Sequence, residues 1–211
     1  MSTSTGASRA AHIISDVFSP LLVPTYTMAA ALWLTLLRFI PLSAKLWSLS
    51  GVFFITAALP ALVIFALIKA GKVSDAAISD RTQRTVPYTV AILCYGAAAW
   101  YVNALQAPHW LTGFFVGAGL TALLSLVITH WWKISAHTAG AAGATAALYW
   151  MAVHGLLGDA GMTVTCIAIA VTGAVAWARL YLNHHTPAQV LAGAAMAALV
   201  TYFSTSVAVA L

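Results

Sequence analysis

The sequence predicts an all-α, polytopic bundle of transmembrane helices with six to seven spans. Of its 211 residues, 62% are apolar and only 6% carry a formal charge, where an average soluble domain has roughly 45–50% and about 25%. Long stretches such as Val52 to Ile68 and Ala188 to Leu211 contain no charged residue, and uncharged apolar runs near or above ~18 residues mark membrane spans. Only helices and closed barrels satisfy backbone polar groups in lipid. These runs exceed the ~9–11 residues of a barrel strand, which leaves helices.

Residues 1–16 form a polar, Ser/Thr/Ala-rich N-terminal tail. The tail lacks the basic start, short apolar stretch and small-residue cleavage site of a secretory signal. It is expected to be disordered, with an interfacial helix as the alternative. Residues 17–211 form the membrane domain. Its expected spans are Pro20 to Pro41, Leu46 to Ala70, Pro87 to Ala104, Trp110 to Trp131, Ala136 to Val153, Met162 to Leu182 and Ala188 to Ala210. Trp100 with Tyr101, Trp110, Trp131 with Trp132, and Trp177 with Tyr181 gather near the proposed ends, as in an interfacial aromatic belt. Ala139, Gly140, Gly143 and Ala147 in the fifth span, and Ala192, Gly193 and Ala197 in the seventh, let helices approach closely.

Cys94 and Cys166 lie inside apolar runs, where a thiol behaves as a small hydrophobe and reports no redox compartment. The net charge of +5 comes from nine Lys and Arg scattered among spans, not from one soluble basic face, which argues against nucleic acid. Lipid headgroups or a phosphorylated substrate suit those charges better.

Polar residues concentrate in three connecting segments, Lys72 to Thr85, Lys133 to His137 and Arg179 to Gln189. Two spans separate each from the next, so the chain returns to the same side each time. All three should meet at one membrane interface. In the first segment Arg81 and Arg84 sit three apart and project from one side of a helical turn. Their forked guanidiniums match phosphate oxygens. A positive-inside loop with Asp80 as a partner would explain them equally well. The second segment carries Lys133, Ser135 and His137 at a helix start, where free N–H groups favour an anion. Alone, His137 reads more simply as an interfacial histidine. In the third, Pro187 fits the first turn of a helix and places His185 just ahead of it. The His184–His185 pair does not read as a metal site. Zinc recruits three or four protein ligands, and no Glu or polar Cys is present to complete the set.

Taken together, the segments supply fixed cations, a hydroxyl and two separated histidines. That set suits phosphoryl transfer by a histidine nucleophile, with cations on the phosphate oxygens and a second imidazole protonating the leaving oxygen. No cofactor and no metal are called for.

At these residues the chain resembles the type 2 phosphatidic acid phosphatase superfamily, membrane enzymes that hydrolyse lipid phosphates. The family pattern runs Lys-x6-Arg-Pro, then Pro-Ser-Gly-His, then Ser-Arg-x5-His-x3-Asp. Ser135-Ala136-His137 stands where the second part has Ser-Gly-His, and Arg179, five residues and His185 keep the spacing of the third. The resemblance runs from about Gly71 to the end. It implies that His185 is the nucleophile and His137 the acid for the leaving group, and that Arg179, Ser135 and at least one of Arg81 and Arg84 hold the phosphate.

The departures are specific. The position seven before Arg84 is Ala77 and not Lys, and two residues separate Arg84 from Pro87. Lys72, Arg81 or Lys133 would fill the missing charge. Ile134, Ala136 and Ala178 replace the family's Pro, Gly and Ser. Gln189 stands where the family has the Asp that orients the nucleophile. A Gln amide oxygen still accepts a hydrogen bond and fixes the tautomer, but it brings no charge, which Asp80 would have to lend.

The resemblance thus implies a metal-independent phosphatase with a lipid phosphate or diphosphate substrate. Phosphatidate, phosphatidylglycerol phosphate, undecaprenyl diphosphate and lipid A phosphates are the family's candidates. A transporter or flippase would use the same cationic face without cleavage, but would be expected to carry charges near mid-span. Arg38, Lys69 and Arg179 all lie close to span ends. A phosphotransferase would need an acceptor pocket. Lys and Arg on the motif side suggest a cytoplasmic face, whereas the resemblance points to the periplasmic face of a bacterial inner membrane, which is the expectation adopted. The N-terminus would then also lie outside, unless the Pro20–Pro24 region is re-entrant.

Overall fold

The computed structural model describes residues 3–75, 78 and 80–210, with side chains from Gly6 onward. Ala77, where the family's Lys would stand, lies outside the described residues. Among the described residues the chain is helical and has no strand. The helices are α1 (Thr3–Val17), α2 (Val23–Leu34), α3 (Leu42–Phe53), α4 (Leu59–Lys69), α5 (Thr85–Ala104), α6 (His109–Thr129), α7 (Ala136–Val153), α8 (Gly161–Tyr181) and α9 (Pro187–Ala210). A π-helical turn, Phe54–Ala58, joins α3 to α4 without a break.

Five stretches are long and apolar enough to cross a membrane: Leu42–Lys69, Arg81–Ala104, His109–Thr129, Gly158–Tyr181 and Pro187–Ala210. The chain is an integral membrane protein. Two of the seven expected spans are not in this set. α2 has 12 residues, about 18 Å of helix, and Thr35 stops it. The Thr35 side chain turns back on Ala31 O at 2.7 Å and also accepts from Leu37 N. α7 has 18 residues rich in Ala, Gly and Thr and is the interior helix, flanked by α8 and α9.

The N-terminal tail takes the alternative reading: Thr3–Val17 is a helix packed on α8. Ala11 and Ser15, one turn apart, are its buried positions at 0% and 4% exposure.

Close helix approach sets the frame. A Cβ on Gly113 would lie 2.7 Å from Ser204 O, and one on Gly117 2.9 Å from Thr201 Cα, so α6 and α9 meet backbone to backbone. At the far end of the bundle an apolar core of Leu111, Phe115, Trp150, Met151 and Leu157 closes the interior. The Trp110 and Trp150 rings stack there at 6.4 Å, and Trp150 Nε1 donates to Ser206 Oγ.

Candidate functional site

The three polar segments meet at the other end. Arg84, buried in the turn before α5, donates from Nε to Ile78 O at 2.9 Å and from Nη1 to Ile134 O at 3.0 Å. That second bond ties the first segment to the second. The second is tied to the third by Ser135 N donating to Gln189 O at 3.4 Å and Thr138 Oγ1 to Val190 O at 3.3 Å. Gly193 makes this docking possible, because a Cβ there would lie 2.8 Å from Ser135 O.

Between the segments opens a cavity of about 780 Å³. Arg84, Arg179, His137, His184 and His185 line its polar end. Arg179, in the last turn of α8, is 4% exposed. Its Nη1 makes one long contact, 3.4 Å, to Ser15 Oγ of α1, and its Nε has no acceptor among the described residues. Leaving a buried donor unpaired costs about 1–3 kcal/mol; Asp16 of α1 lines the same cavity and acts on Arg179 through space, and a bound anion would satisfy the free Nε directly.

His185 is 8% exposed. Its Nδ1 lies 3.2 Å from Gln189 Oε1. The same Oε1 accepts from Thr186 N at 3.1 Å, while Gln189 N donates back to Thr186 Oγ1 at 3.4 Å. This reciprocal pair is a capping box over the start of α9. With an amide oxygen as its neighbour, Nδ1 is the protonated nitrogen and Nε2 keeps its lone pair. Burial, then Arg179, Arg84 and Lys133, push the His185 pKa down to about 3, so the ring is neutral at physiological pH. The same causes, burial first and then Arg179 and Lys133, lower His184.

The other expected site residues are placed less centrally. Ser135 is fully buried and its hydroxyl caps α7, accepting from Thr138 N; it is not on the cavity wall. Arg81 is exposed and turns outward, donating to His130 O at 2.6 Å and Thr129 O at 3.2 Å, where it caps α6. Lys133 is half-buried behind the wall, and burial with Arg84 and Arg179 nearby lowers its pKa. Lys72 is exposed just past α4 and outside the cavity lining. Asp80 is exposed and accepts from both Thr82 N and Thr82 Oγ1, which hold its carboxyl below the usual range. It caps its own turn and is not among the groups acting on His185.

Sequence reasoning allowed α1 as a helix but gave it no part in the site, whereas its His12, Ser15 and Asp16 line the cavity. The four-residue spacing of Ala7, Ala11 and Ser15 was the available signal. It also missed the capping box, although Thr186-x-x-Gln189 is its sequence signature. No family model, curated protein or solved structure matches the chain, so its likeness to the lipid phosphate phosphatases rests on the residues of the three segments alone.

Proposed function

We propose that the protein hydrolyses a membrane lipid phosphate or diphosphate through a phosphohistidine on His185, without a metal. The observation that carries this reading is the His185–Gln189 contact of 3.2 Å at a cavity shared with Arg84, Arg179 and His137. A neutral imidazole with Nδ1 anchored offers its Nε2 lone pair, as a nucleophile must. The flanking guanidiniums are suited to charge gathering on the phosphate oxygens in the transition state.

In the first step a bond forms from Nε2 to phosphorus and the bond to the lipid oxygen breaks. The departing oxygen takes a proton from His137, which the bound phosphate has helped to protonate. In the second step water attacks the phosphohistidine and gives a proton to His137. The N–P bond breaks, phosphate leaves and His185 returns neutral. Arg84 and Arg179 are the principal phosphate ligands in this account. Lys133 adds charge from behind, Arg81 and Ser135 act on structure and not on substrate, and Lys72 takes no part.

Counting α7 as a sixth span and α2 as a short seventh puts two crossings, an even number, between α1 and the first polar segment. The N-terminus then shares the site's side, which we assign to the periplasmic face of a bacterial inner membrane. The test is phosphate release from a panel of lipid phosphates in the presence of chelator. Release from the parent, lost in His185→Ala and strongly reduced in His137→Ala, is the expected result. Lipid binding without release from any substrate would instead favour transport.

A further inference from the structure

The cavity does not stop at the phosphate end. It continues between α2, α4, α5, α6 and α7 towards the buried core of the far end. Tyr95 lies about 15 Å along α5 from Thr85, and Phe114 about 22 Å along α6 from Thr129, at roughly 1.5 Å per residue; both residues line the cavity. Below them Phe115, Leu111 and Trp150, all nearly or fully buried, fill the interior. Away from the cationic end the walls are mainly apolar or small, with Ile64 and Phe65 on α4, Ala118 and Ala122 on α6, and Gly140 and Ala144 on α7, interrupted by the hydroxyls of Thr121, Ser125 and Thr201. The volume of about 780 Å³ is that of a site for one compact ligand. One tail with its phosphate fits it; two tails of bilayer length do not.

The side between α2 and α4 is loosely packed. Among the described residues α4 packs on α5 and on the π-turn, while its contact with α2 is at most marginal. Pro24 of α2 and Phe65 of α4 both border the cavity. This is the side from which a tail would enter, with its headgroup at the cationic end.

We propose that this cavity is a length-limited binding site for the tail of a single-chain amphiphile, so that the substrate is a monoalkyl, monoacyl or short prenyl phosphate and not a two-chain phospholipid. The inference rests on the reading of the polar end as a lipid phosphate site. Cationic chemistry at one end, mainly apolar walls and a filled core beyond them together select for one chain of bounded length.

The test uses the full chain in nanodiscs. Non-hydrolysable hexyl, tetradecyl and dialkyl phosphonates serve as binding probes, and the matching phosphates as substrates. The parent is expected to bind tetradecyl phosphonate at least about tenfold more tightly than the dialkyl compound, each referred to its bilayer concentration. Ala118→Phe fills the deep part and should weaken tetradecyl binding about tenfold while leaving hexyl binding unchanged. Ala144→Phe does the same from α7, so either variant suffices if the other fails to fold. Equal binding of one- and two-chain probes, with neither variant altering the tetradecyl-to-hexyl ratio, would overturn the proposal, as would no binding at all. Graded binding without phosphate release leaves the tail site standing and removes hydrolysis. Release without chain discrimination does the reverse.

Discussion

Of the three buried cations, Lys45, Arg84 and Arg179, the first and last lie at opposite ends of the bundle and are handled in opposite ways. At the end away from the cavity, Lys45 is 7% exposed. Its Nζ donates to Arg38 O at 2.6 Å and sits 5.4 Å from the centroid of the Trp33 ring. A carbonyl and an aromatic face use up its charge. Arg179 is buried more deeply but, among the described residues, has one long hydroxyl contact and an unpartnered Nε. One histidine from each end, exposed His154 and buried His185, shows the same difference in how the ring is held. His154, at the far end of α7, gives Nδ1 to Trp150 O at 2.8 Å and stacks on the Trp150 ring at 4.0 Å. His185 is fixed through Nδ1 alone and faces a cavity. Lys45 and Arg179 are both buried, so burial of a cation does not mark function here. What marks it is a polar group held in place and left with capacity to spare.

The sharpest way to break this contrast is to remove one histidine from each end. His185→Ala should lower phosphate release at least about a thousandfold, as loss of a nucleophile does. His154→Ala should leave release within about twofold and lower the thermal midpoint, because it deletes a ring stack and a hydrogen bond. A steady-state assay with a melting curve on each variant checks both. Equal losses of activity would erase the distinction between the two ends.

The cations give the next largest effect. Arg179→Ala should cost about 10²–10³-fold in kcat, the scale of one lost oxyanion ligand. Arg179→Lys should recover little, since an ammonium cannot reproduce the fork. Lys45→Ala should leave kcat unchanged.

Smaller effects probe the support around His185. Gln189→Ala should cost about tenfold in kcat, the range seen when an orienting partner is lost. Gln189→Asp restores a carboxylate beside Nδ1, which raises the His185 pKa and stabilises the imidazolium-like transition state. It should increase the rate several-fold. Gly193→Ala presses a methyl towards Ser135 O and should cost about 1–3 kcal/mol of stability, with a fall in kcat that a substitution at the far end would not produce.

The smallest expected signal is a pH dependence of stability. His185 is held near a pKa of about 3 by burial and by the neighbouring cations, whereas the unfolded ring titrates near ~6.5. As pH falls from about 6.5 towards 3 the unfolded chain takes up a proton that the folded chain does not, and stability declines across that window. His185→Gln should flatten this part of the melting-temperature profile. Orthophosphate, by supplying an anion beside the ring, should flatten it in the parent.

How much of this was readable in the sequence depended on which physical signal each residue carried. The convergence of the three segments followed from counting apolar runs, and the hydrogen bonds from Arg84 to Ile134 and from Ser135 to Gln189 show them joined. The spans containing α2 and α7 were less transparent. Apolar composition says nothing about Thr35 folding back to end α2, and an interior helix can be built from Ala, Gly and Thr because its neighbours shield it. Arg81 and Arg84 look equivalent by spacing. Only tertiary contacts send one to cap α6 and the other to the cavity wall. Ser135 likewise carries an N-cap signature and serves as one. The depth of the cavity was invisible, since small residues on α6 and α7 read as close packing whether they face a helix or a hollow.

The most direct test of the central claim is to trap the intermediate. Purified protein in chelator is mixed with a monoalkyl phosphate labelled on phosphorus, quenched within milliseconds, and digested for mass spectrometry. The account predicts label on His185, stable in base and labile in acid, and none in His185→Ala. Turnover with no label on His185, or undiminished turnover in His185→Ala, would contradict it.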